Sequence, residues 1–233
     1  MSGEKADLLA GTRLAPDQPT GLGSAMAGGK GKLNHDKTAR RALDFYPTPA
    51  ECTRALFAAE LPFMAVHGFD LWEPCGRGGA IARVADRLGF RVAATDIVAD
   101  PVNAVLLLDL LDAREARAPL VVTNPPFALA RPMIAHLLGK LDVRYLALLL
   151  KTTFWSADNR HGLWRAHPPA RRWDMTFRPD FLEGASRKKG SGSTMNCSWF
   201  VWDSLAAGPP VWGLLGRDGP VLPTGPDLFA AAS

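Results

Sequence analysis

The sequence predicts an α/β fold in which helices cover both faces of a mostly parallel β-sheet. Of its 233 residues, 47% are hydrophobic, which is enough to build a folded core. Short, nearly continuous apolar runs alternate with stretches of helical periodicity, a pattern typical of parallel strands buried on both faces. Several of these runs end in an acidic residue, an asparagine or a glycine turn, as strands do at the ligand-binding edge of such a sheet.

The first predicted elements are a helix and a strand followed by a glycine turn. Residues 49–61 place apolar side chains at helical spacing, and Thr48 and Pro49 are of the types favoured at an N-cap and at the first helical position. Residues 69–72 form a short apolar strand. The glycine-rich residues 73–79 follow this strand and lead into the next helix.

The same alternation continues along the chain. The further predicted strands are residues 91–95, 104–108, 120–123, 145–150, 173–177 and 197–202, and the further helices are residues 81–88 and 132–141. With the first strand this makes seven, and the sequence therefore predicts a Rossmann-like sheet of seven strands. We predict one folded domain at 44–203, a flexible arm at 1–43, and an irregular tail rich in proline and glycine at 204–233.

The composition argues against several classes of protein. The three cysteines lie far apart, without the paired spacing of a disulfide framework or a zinc site, and His136, His161 and His167 have no metal-ligand spacing. The apolar runs are shorter than the about 20 residues of a membrane helix, and the chain does not start with a basic stretch followed by an apolar segment. We therefore predict a cytoplasmic protein with no metal and no membrane contact.

Positive charge is concentrated in residues 151–195, which hold nine basic and four acidic side chains, whereas residues 44–150 hold ten and twelve. Basic groups neutralise phosphates and aromatic rings stack on bases, so the aromatic residues interleaved in this segment indicate a surface that faces nucleic acid. An ordinary solvated basic segment is the alternative. The residues predicted to bind nucleic acid are Lys151, Trp155, Arg160, Arg171, Arg172, Arg178, Arg187, Lys188 and Lys189.

Four polar side chains end the predicted strands, namely Glu73, Asp96, Asp109 and Asn124. The glycine turn after the first strand lets a ligand approach the backbone, and the acidic Asp96 at the end of the second strand is placed to accept hydrogen bonds from ribose hydroxyls. Asp109 is an acceptor for an adenine amino group or, alternatively, the cap of a helix. The strand ends therefore predict a pocket shaped for adenosine.

The segment Asn124-Pro125-Pro126-Phe127 directly follows a buried strand. Two prolines continue neither strand nor helix pairing, so they make a rigid turn and leave carbonyl groups free to accept hydrogen bonds. Asn124 adds a side-chain oxygen, and Phe127 offers an aromatic face to a planar ring. The segment suits an amino group on a flat heterocycle, and the alternative is a proline turn packed under a phenylalanine.

In this order, the motifs resemble those of class I S-adenosylmethionine-dependent amino-methyltransferases, in particular DNA adenine methyltransferases. Residues 44–49 resemble the family's N-terminal cofactor motif, 73–79 its glycine motif, Asp96 its ribose ligand, and 124–127 its catalytic tetrapeptide. The resemblance implies S-adenosyl-L-methionine as the cofactor, and Asn124, Pro125, Pro126 and Phe127 as the catalytic residues. The cofactor-binding residues that it implies are Tyr46, Thr48, Pro49, Glu73, Pro74, Cys75, Gly76, Gly78, Asp96, Asp109 and Asn124.

The expected activity is methylation of the exocyclic amino group of adenine in DNA, with the base flipped into the tetrapeptide site. In the glycine motif, either Gly76 and Gly78 lie one residue closer to Glu73 than the family spacing, or Arg77 takes the place of the first glycine. The alternatives are methylation of RNA or of a protein glutamine, and an inactive methyltransferase fold that binds nucleic acid. The predicted domain leaves no room for a separate target-recognition domain. We therefore also expect that the protein recognises a short or relaxed target sequence, or that a helper protein recognises the target.

Overall fold

The computed structural model of the protein describes residues 47–181 and 195–221. The strands are β1 (Asp70–Glu73), β2 (Arg91–Asp96), β3 (Val105–Leu107), β4 (Leu120–Thr123), β5 (Tyr145–Lys151), β6 (Arg171–Met175), β7 (Cys197–Asp203), β8 (Val211–Gly216) and β9 (Gly219–Pro220). The α-helices are α1 (Ala50–Ala65), α2 (Ala80–Arg87), α3 (Ala130–Gly139) and α4 (His161–Ala166). The predictions for the arm at 1–43, for Tyr46, for 187–189 and for 222–233 lie outside the described residues.

In the described part of the chain, nine strands form one sheet in the order β3-β2-β1-β4-β5-β7-β6-β8-β9. Strands β7 and β9 run antiparallel to their neighbours, and the other pairings are parallel. The mostly parallel Rossmann-like α/β fold is therefore confirmed. The chain builds β1, β2 and β3 outward in one direction and then returns to place β4 on the other side of β1, so the sheet has a topological switch point between β1 and β4.

The prediction of seven strands was wrong, because β8 and β9 lie in the segment predicted to be irregular. Strand β8 pairs in parallel with β6, from Arg171 opposite Val211 to Met175 opposite Leu215. Prolines before the strand and glycines such as Gly213 within it hide its periodicity in the sequence. Backbone pairing with an existing sheet edge does not depend on that periodicity, so the tertiary structure overrides the local pattern.

Helices α1 and α2 cover one face of the sheet, and α3 covers the other. On the first face, Leu56 and Phe57 of α1 are fully buried in a cluster with Trp199 of β7. On the second face, Ile134 and Leu137 of α3 are buried in a separate cluster with side chains of β4 and β5. None of the helices in the described ranges is long and apolar enough to span a membrane.

A buried polar cluster joins α1 to the middle of the sheet. The carboxylate of Glu60 accepts hydrogen bonds from Tyr145 Oη at 2.9 Å, from Trp173 Nε1 at 2.7 Å and from Arg171 Nε at 2.8 Å. Arg171 also donates to Asp203 at 2.7 Å. Because Arg171 is only 7% exposed and both of its acidic partners are close, it is committed to this cluster, which corrects the prediction that it contacts nucleic acid.

Candidate active site

A pocket opens at the carboxyl ends of β1, β2 and β4, beside the topological switch point. Its empty space, including the open mouth, is about 830 Å³. All four of the polar side chains that end the predicted strands lie in its wall, namely Glu73, Asp96, Asp109 and Asn124. Between them lie apolar side chains from the loop after β2, from the short helix after β3, and from the region before and within α3 (Ile97, Val98, Leu110, Leu129 and Met133). The pocket therefore combines hydrogen-bond acceptors with apolar walls.

The glycine turn packs tightly against β2. The backbone N–H of Gly76 donates to the carbonyl of Thr95 at 2.8 Å. A Cβ atom at Gly76 would lie 3.1 Å from the carbonyl oxygen of Glu73 and 3.2 Å from the Cβ of Ala94, so this position has no space for a side chain. Gly79 has a φ of +58° directly before α2, a left-handed conformation that favours glycine. The turn thus holds the backbone of residues 76–79 close to the floor of the pocket.

The carboxyl group of Glu73 is buried and caps the beginning of α2. It is 3% exposed, and its Oε2 accepts a hydrogen bond from the backbone N–H of Ala82 at 2.8 Å. Burial raises the pKa of Glu73 to about 8, although the N–H donors of α2 oppose this rise. Glu73 therefore positions the glycine turn against α2 in addition to lining the pocket.

Asp96 is held by backbone groups on two sides. One carboxylate oxygen accepts from the N–H of Arg77 at 3.2 Å and the other from the N–H of Val98 at 3.1 Å. These bonds fix the carboxylate at the pocket wall, and a carboxylate can accept further hydrogen bonds. The second anchor of the turn is Asp100, whose carboxylate accepts from the N–H of Gly78 at 3.0 Å. Sequence reasoning missed Asp100 because it contacts the turn only through the fold.

Asp109 lies in the pocket wall and also caps a short 3-10 helix, Leu110–Asp112. Its Oδ1 accepts from the backbone N–H of Leu111 at 2.9 Å. The interpretation of Asp109 as a helix cap is therefore confirmed, and its role as an acceptor for an adenine amino group stays a prediction. Cys75 also lines the pocket, and burial raises the pKa of its thiol to about 12, so the thiol is protonated at neutral pH.

The tetrapeptide begins where β4 ends. Asn124 and Pro126 line the pocket, Pro125 is buried, and Phe127 is half-buried at the start of the 3-10 helix Phe127–Leu129. Lys151, the exposed last residue of β5, places its Nζ 4.9 Å from the centre of the Phe127 ring. The neighbouring parallel strands β4 and β5 thus bring an amide, an aromatic ring and a cation to one edge of the sheet.

The remaining predicted cofactor residues are distributed around this edge. Thr48 is buried and lines the same pocket, as does Pro74. Pro49 lines a neighbouring cavity together with Thr48. Gly76 and Gly78 belong to the turn itself. Within residues 47–181 and 195–221, no group of three or more histidine, cysteine, aspartate or glutamate side chains is placed to hold a metal ion.

The residues predicted to bind nucleic acid fall into four groups. Lys151, Trp155 and Arg178 are exposed. Arg160 donates to the carbonyl of Phe154 at 2.6 Å, and Arg172 pairs with Asp174, so these two guanidinium groups have partners within the protein. Arg171 is buried as described above, and Arg187, Lys188 and Lys189 lie outside the described residues.

No protein-family model matches this sequence, and no curated protein matches it. Among solved structures, the methyltransferase subunit of a type I restriction-modification system from Streptococcus thermophilus is 13% identical, with a TM-score of 0.52, over 73% of this chain and 47% of that one. The chain thus spans about half of the length of that subunit.

Two further similar structures have lower TM-scores. An RNA methyltransferase from Salinibacter ruber, in complex with S-adenosyl-L-homocysteine, is 15% identical over 70% of this chain and 96% of that one, with a TM-score of 0.41. Magnesium protoporphyrin IX methyltransferase from Synechocystis, with bound S-adenosylmethionine, is 16% identical over 76% of this chain and 87% of that one, with a TM-score of 0.43. What the likeness to the restriction-modification subunit shows is a shared fold: this chain has the architecture of that methyltransferase.

Proposed function

We propose that the protein transfers the methyl group of S-adenosyl-L-methionine to the exocyclic amino group of adenine in DNA. The observation that carries this proposal is the position of Asn124, which lies in the wall of the same pocket as Asp96. An acceptor suited to a ribose and an acceptor suited to a substrate amine thus lie in one pocket. The fold shared with a methyltransferase subunit supports the same reaction class.

The residues of the pocket fit S-adenosyl-L-methionine. Asp96 accepts hydrogen bonds from ribose hydroxyls. The backbone N–H groups of Arg77 and Val98 hold its carboxylate at the pocket wall for this contact. The apolar walls formed by Ile97 and Leu110 suit the faces of an adenine ring. When bound, this cofactor supplies a methyl group on a positively charged sulfur.

The tetrapeptide supplies the groups that act on the amine. The side-chain oxygen of Asn124 and the carbonyl oxygen of Pro125 accept hydrogen bonds from the two amino hydrogens and stabilise the positive charge that develops on the nitrogen. Phe127 stacks on the ring that carries the amino group. A paired base hides this nitrogen inside the duplex, so the nucleotide is extruded or already unpaired. The methylated nitrogen carries a positive charge and is acidic, so it releases its extra proton to water, and no strong general base is needed.

The choice of a nucleic acid over a protein rests on charge and on exposed aromatic side chains, and the choice of DNA over RNA rests on the resemblance of residues 44–49, 73–79 and 124–127 to motifs of DNA adenine methyltransferases. Residues 151–181 carry six basic and three acidic side chains, and Lys151, Trp155 and Arg178 are exposed. Cations and aromatic rings beside an amine-binding site suit a nucleic acid better than a protein chain. RNA and a protein glutamine are alternative substrates, which the experiment distinguishes.

The test is methyl transfer by the purified full chain from labelled S-adenosyl-L-methionine to DNA, RNA and protein in parallel, with mass spectrometry of the nucleosides. The expected product is N6-methyladenine in DNA. Asn124→Ala should lower the rate at least about a hundredfold while the variant still binds the cofactor, which calorimetry measures. Asn124→Asp keeps an acceptor oxygen and should retain more activity. If Asn124→Ala methylates at the parent rate, or if the only product is methylated RNA, protein or cytosine, the proposal is wrong.

Asp96 provides an independent test of the cofactor site. Asp96→Ala should weaken the binding of S-adenosyl-L-methionine by about 1–3 kcal/mol, the cost of losing hydrogen bonds to a charged acceptor. The exposed Asp86→Asn on α2 is the control for loss of a negative charge, and its affinity should equal that of the parent. Unchanged affinity in Asp96→Ala would remove this residue from the cofactor site.

A further inference from the structure

Four aromatic rings form a ladder from the core to the surface beside the candidate active site. The ring centres of Trp202 and Phe200 are 6.5 Å apart, those of Phe200 and Trp155 6.1 Å, and those of Trp155 and Trp164 4.9 Å. The angle between the ring planes is 25° in the first pair and 22° in the second, so these rings are nearly parallel. Trp155 is the exposed member of this ladder, with 39% of its surface exposed.

A second exposed tryptophan lies on the same face of the sheet. In the strand register, Arg172 of β6 is opposite Phe200 of β7 and opposite Trp212 of β8, so the three side chains share one face. Trp212 is 61% exposed, and its indole N–H donates to Asp174 Oδ2 at 2.9 Å. The sequence did not predict Trp212 as a functional residue, because β8 lies in the segment predicted to be irregular.

Asp174 holds the surface between the two tryptophans in one geometry. It accepts from Arg172 Nε at 2.8 Å and Nη2 at 2.9 Å, and Ser198 Oγ donates to it at 2.5 Å. The guanidinium carbon of Arg172 lies 5.9 Å from the centre of the Trp155 ring. These bonds keep the pKa of Asp174 below its ordinary value, although burial opposes this. The carboxylate therefore stays ionised and keeps Arg172 and Trp212 in place at neutral pH.

This surface is connected to the tetrapeptide through β5. Lys151 ends β5 over the ring of Phe127, and the next four residues form the 3-10 helix Thr152–Trp155 that carries Trp155. The hydroxyl groups of Thr152 and Ser198 are 2.8 Å apart, so this short helix is tied to the base of the cluster around Asp174. Trp155 is therefore four residues along the chain from Lys151, which lies over the ring on which a target base would stack, and Trp212 extends the same face of the sheet away from that point.

We propose that Trp155, Arg172 and Trp212, here called the stacking platform, bind unpaired bases of the nucleic-acid strand that flank the target nucleotide. This inference rests on the proposed function and adds a second binding site to it. Ordered, exposed tryptophan rings and a flat guanidinium offer faces on which any base can stack, and such stacking tolerates all sequences. The platform thus holds the strand after a base has been extruded, without reading its sequence.

The test is binding of the full chain to a fluorescently labelled single DNA strand of about 12 nucleotides, compared with an abasic strand of the same length. Both strands carry the same phosphates, so the difference in affinity reports contacts to the bases. We expect the parent protein to prefer the strand that has bases. Trp155→Ala should weaken binding of that strand about 5- to 100-fold and leave binding of the abasic strand unchanged, and Trp155→Phe should restore most of the affinity.

Trp212→Ala should also weaken binding of the strand that has bases. Because Trp212 is exposed on β8, thermal unfolding of the variant should separate a loss of binding from a folding defect. The control is Phe69→Ala, which replaces an aromatic side chain that is 46% exposed. Phe69 lies directly before β1, at the end of this strand away from the pocket, so the variant should bind both strands as the parent does. Equal affinity of the parent for the two strands, or unchanged base preference in both Trp155→Ala and Trp212→Ala, overturns the platform.

Methyl transfer measured in the same preparations separates this inference from the proposed function. A parent that methylates adenine in DNA but does not distinguish the two strands overturns the platform alone. A parent whose base-dependent binding is lost in Trp155→Ala, but which methylates no nucleic acid, supports the platform and overturns the proposed reaction.

Discussion

The buried carboxyl group of Glu73 makes the stability of this protein depend on pH in a direction opposite to that of most acidic residues. Its pKa rises from an ordinary value of 4.5 to about 8, with burial as the largest cause. The group is protonated in both states below about pH 4.5, and its contribution to stability is then complete. This contribution decreases above pH 4.5 and is lost once the pH has risen through about 8. The unfolded chain releases its proton freely over this range, whereas the folded protein must either keep the proton or bury a charge.

The size of this effect follows from the two pKa values. Between pH 4.5 and about 8 the unfolded chain releases the proton and the folded protein keeps it, so the unfolding free energy falls by about 1.4 kcal/mol for each pH unit. Above pH 8 the total decrease in the unfolding free energy is on the order of 5 kcal/mol. Glu73→Gln removes the ionisation but keeps an oxygen that can accept from the N–H of Ala82.

Urea unfolding of the parent, Glu73→Gln and the control Asp86→Asn measures this effect from about pH 5 to about pH 9. The difference between Glu73→Gln and the parent should be small near pH 5 and should grow in favour of the variant up to about pH 8. Asp86 is exposed on α2, so Asp86→Asn should follow the parent at every pH. A difference between Glu73→Gln and the parent that is constant over this range would refute the reasoning.

Three further predictions concern stability, and urea unfolding measures each. Gly213→Ala places a Cβ in steric clash with Cζ3 of Trp173, which should cost about 1–3 kcal/mol, so a neutral result would contradict the packing of β8 on β6. Gly162 lies in α4, and no heavy atom is within 4 Å of the Cβ that Gly162→Ala would add. This substitution should therefore raise the unfolding free energy by about 0.5–1 kcal/mol, and a decrease would show that the helix has another constraint. Glu60→Ala leaves the buried Arg171 without one of its two acidic partners and should cost about 3–5 kcal/mol, and a cost under about 1 kcal/mol would mean that the cluster is solvated.

The features that the sequence alone determines are those that depend on short, local sequence patterns. Apolar runs of strand length, a glycine turn before a helix, and the polar residue at each strand end are all local, so they predicted the parallel sheet and the edge at which Asp96 and Asn124 meet. The glycine at 76 belongs to the same group, since the turn there has no space for a side chain. Parallel strands bring their carboxyl ends to one edge, and the order of motifs therefore predicts which residues share a pocket.

The tertiary structure alone decided which charged and aromatic side chains remain available at the surface. Arg171 and Arg172 are adjacent in a basic stretch, yet one is buried against Glu60, 111 positions away in the chain, and the other lies on the opposite face of β6 and pairs with Asp174. The alternation of side chains along a strand sends neighbours to opposite faces, and only the packing of α1 on one face determines which is buried. Strand β8 joins the sheet by backbone pairing with β6, and this pairing brings Trp212 next to Arg172. No local sequence pattern predicts this pairing. Burial and pairing between distant segments are properties of the assembled sheet, and they are the physical reason why the charge pattern alone did not show which residues face a ligand.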